Sequence, residues 1–270
     1  MILGYRSEDY QEYGLKIPAR VKLAKQTSNI LIAGKSGSGK SLSARWYLWQ
    51  LLAHEESTVY ISDYKGGEEY EAFEGSPSYA SGEEAVRMIQ AYYTFFTEVR
   101  NQRLRLTHHY TLYVEEWMGL LTYAETQDKK LKSSLLAQIG ELLAVSRGLN
   151  MGIFLTVQRA DASLFNTGSR EQFQAVLSFG RCSAEHFRML GFAGELEENP
   201  TTAYRPGQAL ALVDGQAGVQ ELLVPWISNG VDMCRDMRFY LDRQPDIREL
   251  TRAIAGGRSP GCDRGTGRWA

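Results

Sequence analysis

The chain has 270 residues, and its 30 Lys and Arg against 32 Asp and Glu give a formal net charge of -2, which excludes a strongly basic surface overall. Any contact with nucleic acid must therefore be local. Its 3 cysteines contain no C-x-x-C spacing, which argues against a disulfide framework or a zinc site, and the absence of a long apolar run predicts a cytoplasmic protein.

Short β-rich apolar runs alternate with longer segments of helical period along the chain. In chain order the predicted strands are 29–33, 58–62, 111–115, 152–158 and 175–179, then a hairpin of 209–213 and 219–224. The predicted helices are 41–54, 82–105, 130–147 and 183–190. This alternation is typical of an α/β protein with a mostly parallel central sheet flanked by helices. In the third helix, the apolar residues from Leu135 to Leu143 have the spacing of a buried face.

The domain organisation follows from composition. Residues 1–250 read as a single domain, because no linker separates two cores. Residues 251–270 are dense in glycine and poor in apolar side chains towards the end, and we expect a disordered tail. The segment 65–81 is rich in Gly, Ser and acidic residues, which predicts a mobile surface connection.

One motif stands out: residues 34–41 read GKSGSGKS, a complete G-x-x-x-x-G-K-[ST] loop between a predicted strand and a predicted helix. This setting indicates a P-loop, in which glycines let backbone N–H groups approach a phosphate chain. Lys40 would reach the β- and γ-phosphates, and Ser41 would bind Mg²⁺. The predicted cofactors are therefore ATP and Mg²⁺. The residues predicted to bind the nucleotide are Gly34, Ser36, Gly37, Ser38, Gly39, Lys40 and Ser41.

A second acidic site follows the predicted strand 111–115, which ends in Glu115 and is followed by Glu116. We assign Glu115 to the metal and Glu116 to activation of the attacking water. The strand 58–62 lies between the loop and these carboxylates, an order typical of ATPases with an added central strand. No N-K-x-D motif for reading guanine is present. Gln158 ends the next strand and is placed to sense the γ-phosphate.

Four segments together carry a family resemblance: 28–41, 113–117, 146–159 and 170–181. They resemble the motor core of the FtsK/SpoIIIE branch of the FtsK–HerA superfamily, over roughly residues 18–224. The resemblance implies a RecA-like P-loop NTPase core that assembles as a hexameric ring. It also implies ATP hydrolysis that pumps double-stranded DNA through the pore, or a coupling role in conjugation.

The chain departs from the family pattern in three ways. Glu115 stands where the family usually has Asp, and neither a membrane anchor nor a winged-helix module is evident. The chain thus resembles the small motors of conjugative elements, plasmids and phages. The expected partners are double-stranded DNA, further copies of the chain, and a relaxase or membrane-channel component. Two alternatives stay open: a single-strand helicase or packaging motor, and an ATPase that docks or exports protein cargo.

The resemblance also suggests where subunits and DNA meet. An arginine from the adjacent subunit should complete each site, with Arg147, Arg170 and Arg181 as candidates. A basic helical stretch before the carboxylate strand and a basic pore loop after it should contact DNA phosphates without reading bases. The residues assigned to these contacts are Arg100, Arg103, Lys129 and Lys130.

Overall fold

The computed structural model describes residues 1–23, 26–165, 168–181, 183–196, 205–225, 227 and 230–258. The strands are β1 (Ile2–Arg6), β2 (Pro18–Arg20), β3 (Ile30–Gly34), β4 (Ser57–Asp63), β5 (Tyr79–Ser81), β6 (His109–Glu115), β7 (Met151–Val157), β8 (Ala175–Phe179), β9 (Gln208–Val213) and β10 (Gln220–Leu223). The α-helices are α1 (Ser7–Tyr13), α2 (Lys40–Ala53), α3 (Glu84–Asn101), α4 (Trp117–Gln127), α5 (Lys129–Val145), α6 (Ala184–Met189), α7 (Gly230–Leu241) and α8 (Ile247–Ala255).

The ten strands of the described residues belong to one sheet, in the order β2-β1-β10-β9-β8-β3-β7-β6-β4-β5. The six strands from β8 to β5 in this order are parallel, and β9, β10, β1 and β2 extend the sheet with antiparallel pairs. The expected α/β class with a mostly parallel sheet is therefore confirmed. In a parallel sheet the carboxyl ends of the strands meet at one edge, and this edge carries the P-loop after β3 and the two glutamates at the end of β6.

Helices cover both faces of the sheet and form two cores. One core contains residues of α3, α4, α5, α6 and α8, and the other contains α2, α7 and the β1–β2 pair. Successive residues of a strand point to opposite faces, so Leu31 joins the first core and Ile32 the second. Leu135, Ile139, Leu142 and Leu143 of α5 are buried, as the spacing in the sequence predicts.

The segment 65–81 is not the mobile connection expected from its composition. A short 3-10 helix (Glu68–Phe73) and strand β5 lie within it, and the side chains of Tyr70 and Phe73 are fully buried against the sheet. The glycines and acidic residues lie on its exposed side, while two aromatic rings anchor it. Composition averaged over the segment conceals those anchors.

The expected tail boundary at residue 251 is also wrong, because α8 continues to Ala255. The ends of this helix, Ile247 and Ile254, are buried in the core that contains α3, and this burial holds the helix. Residues 259–270, to which the rest of that expectation applies, lie outside the described residues. Within the described ranges, no helix has the length and apolar character needed to cross a membrane.

Candidate nucleotide-binding site

The P-loop joins the end of β3 to the start of α2. Gly37 and Gly39 have φ values of 78° and 89°, in the left-handed region that favours glycine. A Cβ atom at Gly39 would stand 2.7 Å from the backbone nitrogen of Gly207, so a larger residue is also excluded by the close approach of the backbone that leads into β9. The loop ends at the first turn of α2, whose unpaired N–H groups and positive dipole end favour a phosphate.

A cleft of about 240 Å³ opens beside this loop. Its lining comes from four parts of the chain: the P-loop, the 65–69 segment, the end of β6 and the end of β7. The lining residues are Lys35, Ser36, Gly37, Gly39, Lys40, Ser41, Leu42, Lys65, Glu69, Glu115, Glu116 and Gln158. The structure thus brings together most of the residues that the sequence assigns to phosphate, metal and water, whereas Gly34 and Ser38 do not line the cleft.

Lys40 and Ser41 meet the carboxylates inside the cleft. The Nζ atom of Lys40 lies 3.6 Å from Oε1 of Glu115 and 3.7 Å from Oε2 of Glu116, and its side chain is almost fully buried. Ser41 Oγ donates a hydrogen bond of 2.9 Å to Oε1 of Glu115. The two carboxylates compensate the charge of this buried ammonium group.

Glu115 and Glu116 differ in their surroundings. Glu115 ends strand β6 and is 3% exposed, whereas Glu116 lies at the rim with its backbone in the left-handed region, at φ 54° and ψ 57°. For a residue with a Cβ atom this conformation costs about 1–2 kcal/mol. The turn directs the Glu116 side chain into the cleft at the start of α4, where its Oε2 accepts a 3.0 Å hydrogen bond from Nε2 of Gln158.

Thr156, on β7, connects the two glutamates. Its Oγ1 accepts a 2.8 Å hydrogen bond from the backbone N–H of Glu116 and donates a 3.1 Å hydrogen bond to Oε2 of Glu115. One hydroxyl thereby holds the left-handed turn and orients the buried carboxylate. Tyr113 and Tyr70 also reach Oε2 of Glu115 through their hydroxyl groups.

Burial changes the titration of the groups behind the cleft. Desolvation, followed by the nearby Glu115 carboxylate, raises the pKa of both Tyr113 and Tyr70 well above the ordinary tyrosine value. Both phenols therefore keep their protons and act as donors. The pKa of Asp63 is also raised, first by burial and then by Glu115, its neighbour in the β4–β6 register.

The donor set fits a magnesium ion. Mg²⁺ prefers oxygen ligands in an octahedral shell with bonds of about 2.0–2.1 Å, which sets adjacent ligands about 2.9 Å apart. The 2.9 Å between Ser41 Oγ and Glu115 Oε1 matches that spacing. These two oxygens are the protein ligands that would hold the ion, with the remaining positions left to phosphate and water.

The three arginine candidates occupy different places. Arg181 follows β8 and is exposed at the phosphate edge, next to Gly180, whose Cβ position lies 3.0 Å from that of Ser38 in the P-loop. Arg147 is exposed before β7, at the opposite edge of the sheet. Arg170 is half-buried before β8, and its Nη1 donates a 3.0 Å hydrogen bond to the carbonyl oxygen of Met189.

The two basic clusters assigned to DNA do not come together. Arg100 ends α3, pairs with Glu141 of α5, and lies over the Phe96 ring at 5.2 Å. Lys129 precedes Glu141 by 12 residues on α5, which corresponds to about 18 Å of helix. The expected basic loop is also helical, since Lys129 and Lys130 form the exposed first turn of α5, capped by Asp128. Arg103 is exposed just after α3, at the far edge.

Sequence reasoning did not select Thr156, Tyr113 or Tyr70, although their hydroxyl groups surround Oε2 of the buried carboxylate. A weak signal was available for Tyr113: it precedes Glu115 by two residues on one strand, and such residues face the same side of a sheet. Tyr70 comes from a separate segment, and only the tertiary fold brings it near.

No family model matches the sequence, and no curated protein matches it. Solved structures are similar to it. The pCW3 conjugation coupling protein TcpA, in its monomer form with ATPγS, has a TM-score of 0.59 and 17% identity over 81% of this chain and 67% of its own. The cytoplasmic domain of the type VII secretion ATPase EccC from Thermomonospora curvata has a TM-score of 0.65 and 18% identity, and covers 92% of this chain.

The chain has the fold of the FtsK/HerA-type ATPases. The resemblance found in the sequence is therefore confirmed at the level of fold. A third neighbour of this type, the genome packaging NTPase B204 of Sulfolobus turreted icosahedral virus 2, was solved with AMPPCP. It has a TM-score of 0.50 and 17% identity over 74% of this chain and 99% of its own. By contrast, the chain spans only 32% of the length of the EccC chain.

Proposed function

We propose that the chain is a Mg²⁺-dependent ATPase that moves double-stranded DNA as part of a ring-forming assembly serving a mobile element. The observation that carries the ATPase is the convergence of Lys40, Ser41, Glu115 and Glu116 on one cleft. The neighbours TcpA and B204 were solved with ATPγS and with AMPPCP, which supports nucleotide binding by this chain.

The chemistry divides between the two carboxylates. Glu115 is buried and bonded on both oxygens, so it is suited to hold a ligand in place. Glu116 is at the rim, where water can reach it, and would accept the proton as water attacks the γ-phosphorus and the bond to ADP breaks. Lys40 would stabilise charge on the phosphates, and Gln158 would position Glu116 and sense the γ-phosphate. A bound Mg²⁺ would supply charge neutralisation on the phosphate oxygens.

We expect an arginine from the neighbouring subunit to complete the site. Arg147 and Arg181 are exposed and available to a second copy, whereas the guanidinium of Arg170 donates a hydrogen bond to the carbonyl oxygen of Met189 in its own chain. Replacing the arginine that acts in trans by Ala should lower turnover by about 10³-fold while nucleotide binding persists. Mixing that variant with Glu116→Gln subunits should restore some turnover.

The DNA substrate is proposed from TcpA, described as a conjugation coupling protein, and from B204, described as a genome packaging NTPase. A second candidate is protein cargo, because EccC is a secretion ATPase and has been solved in complex with a signal sequence peptide. The cleft chemistry is the same in both cases, so only the polymer that stimulates turnover separates them.

The test is steady-state ATP hydrolysis without polymer, with linear duplex DNA, and with single-stranded DNA. Lys40→Ala serves as the inactive reference, and Glu171→Gln, an exposed carboxylate outside the cleft, serves as the matched control for carboxylate changes. Stimulation by duplex supports the proposal, and stimulation by single strands alone favours a helicase. A hydrolysis rate that neither form of DNA changes favours protein cargo. Absence of hydrolysis in every condition would refute the enzyme itself.

A further inference from the structure

The two oxygens of the Glu115 carboxylate face different environments. Oε1 faces the cleft, with Ser41 Oγ at 2.9 Å and Lys40 Nζ at 3.6 Å. Oε2 faces the interior, within hydrogen-bond distance of three hydroxyl groups: that of Tyr113, that of Thr156 at 3.1 Å, and that of Tyr70 at 3.4 Å. Only Oε1 remains available to a ligand in the cleft.

The position of Tyr113 explains why its hydroxyl reaches the carboxylate. Tyr113 and Glu115 are two residues apart on β6, so both side chains lie on the α2 face of the sheet. Tyr70 approaches from the 3-10 helix after β4, and its hydroxyl lies 2.9 Å from that of Tyr113. Both tyrosines are fully buried.

Proton counting and distance together give the direction of these hydrogen bonds. Each phenol has one proton, and the carboxylate has none, so only one phenol can donate to Oε2 while the other donates to its neighbour. The Tyr113 hydroxyl lies much closer to Oε2 than the Tyr70 hydroxyl does, so the chain runs from Tyr70 to Tyr113 and from Tyr113 to Oε2 of Glu115. In a dry interior such a chain polarises its members and strengthens the final bond. The Tyr113 hydroxyl therefore restrains rotation of the Glu115 carboxylate, and the hydrogen bond from Tyr70 in turn restrains the Tyr113 hydroxyl.

We propose that Tyr113 is a positioning residue for the divalent cation: its hydroxyl, supported by Tyr70, fixes Glu115 as a one-oxygen ligand and so strengthens metal-dependent nucleotide binding. This inference rests on the proposed function, because the cation enters with the nucleotide. Mg²⁺ demands near-ideal octahedral geometry, so a carboxylate that must first be ordered binds it less tightly. Groups that orient metal ligands typically change metal affinity by about 10–100-fold.

The test compares the affinity for a fluorescent ATP analogue in Mg²⁺ and in EDTA. We expect Tyr113→Phe to bind the analogue in EDTA as the wild type does, and to lose about tenfold of the enhancement that Mg²⁺ gives. Tyr70→Phe should lose less, in the same direction. Tyr110→Phe is the matched control, since it removes the same atom from the same strand but on the opposite face of the sheet. Mn²⁺ titration followed by electron paramagnetic resonance reports the metal directly.

The outcomes separate the alternatives. If Tyr113→Phe loses equal affinity for the ATP analogue in Mg²⁺ and in EDTA, the role of Tyr113 is merely structural and the inference is overturned. Full metal enhancement in Tyr113→Phe would also overturn it. If Tyr113→Phe has a lowered thermal midpoint, the decision passes to Tyr70→Phe. Intact metal enhancement in Tyr70→Phe would then also overturn the inference. A wild-type chain that binds no nucleotide in either condition would refute the proposed function, and this inference with it.

Discussion

Thr156→Val removes a single hydroxyl that serves both glutamates. Valine has nearly the shape of threonine, so packing around this fully buried position is preserved. The substitution leaves the backbone N–H of Glu116 without its 2.8 Å acceptor and Oε2 of Glu115 without its 3.1 Å donor. It also removes the contact that holds Glu116 in the left-handed region.

The expected cost follows from these two bonds. An unsatisfied buried amide costs about 1–3 kcal/mol, and a hydrogen bond to a charged group contributes about 1.5–3 kcal/mol. Glu115 keeps its bond from Tyr113, and Glu116 is near solvent, which reduces both figures. We therefore expect the free energy of unfolding to fall by about 2–4 kcal/mol, and ATP turnover to fall because Glu116 is no longer fixed.

Urea unfolding of the nucleotide-free chain measures the change in stability. Thr156→Ser is the control, because it keeps the hydroxyl and loses only a methyl group; we expect it to lose less than about 1.5 kcal/mol. A loss below about 0.5 kcal/mol for valine, or equal losses for valine and serine, would refute the idea that this hydroxyl holds the two glutamates.

Three further predictions concern other groups. Glu116→Gln should bind ATP but lower turnover by about 10²–10⁴-fold, whereas Lys40→Ala should abolish ATP binding; normal turnover in Glu116→Gln would mean that the two glutamate roles are reversed. Replacing Lys129 and Lys130 together by Ala should flatten the dependence of duplex affinity on salt, because these lysines would contact phosphates. The double variant should also lose DNA stimulation while basal hydrolysis persists. An unchanged salt slope would mean that the two lysines are only solvent-exposed residues of a helix face. Burial lowers the pKa of His109 to about 3, so the unfolded chain binds more protons between pH 6.5 and 3, and stability should fall as pH falls through that window. His109→Gln should make this decline shallower in acid titrations of the unfolding midpoint, and an unchanged slope would show that His109 does not titrate on unfolding.

The sequence predicted most of the central sheet correctly. Strands β3, β4, β6, β7 and β8 were each predicted within two residues at either end, because buried parallel strands are continuous apolar runs. The flanking elements β1, β2 and β5 were not predicted. Strands β2 and β5 have three residues each, too few for a periodic signal. Strand β1 has five residues, and it forms by pairing with β10, far along the chain.

The helices divide in the same way. Helices α2, α3, α5 and α6 were predicted, whereas α1, α4, α7 and α8 were not. Helix α4 begins where Glu116 adopts a left-handed conformation and contains Gly119, so its sequence lacks a clear start and a regular stripe. Its placement is decided by Trp117, whose ring nitrogen donates a 2.8 Å hydrogen bond to the carbonyl oxygen of Leu164 far along the chain.

By itself, the sequence determined the phosphate loop and the pair of glutamates, because a loop that wraps phosphate needs a fixed local order of Gly, Lys and Ser. The tertiary structure alone decided which glutamate is buried and which is open, since burial depends on Thr156, Tyr113 and Tyr70 from three different elements. It also separated the two basic clusters that the sequence had assigned to one channel. A motif such as the phosphate loop depends on residues that are adjacent in the sequence, whereas the direction of a side chain and the distance between segments depend on packing across the sheet.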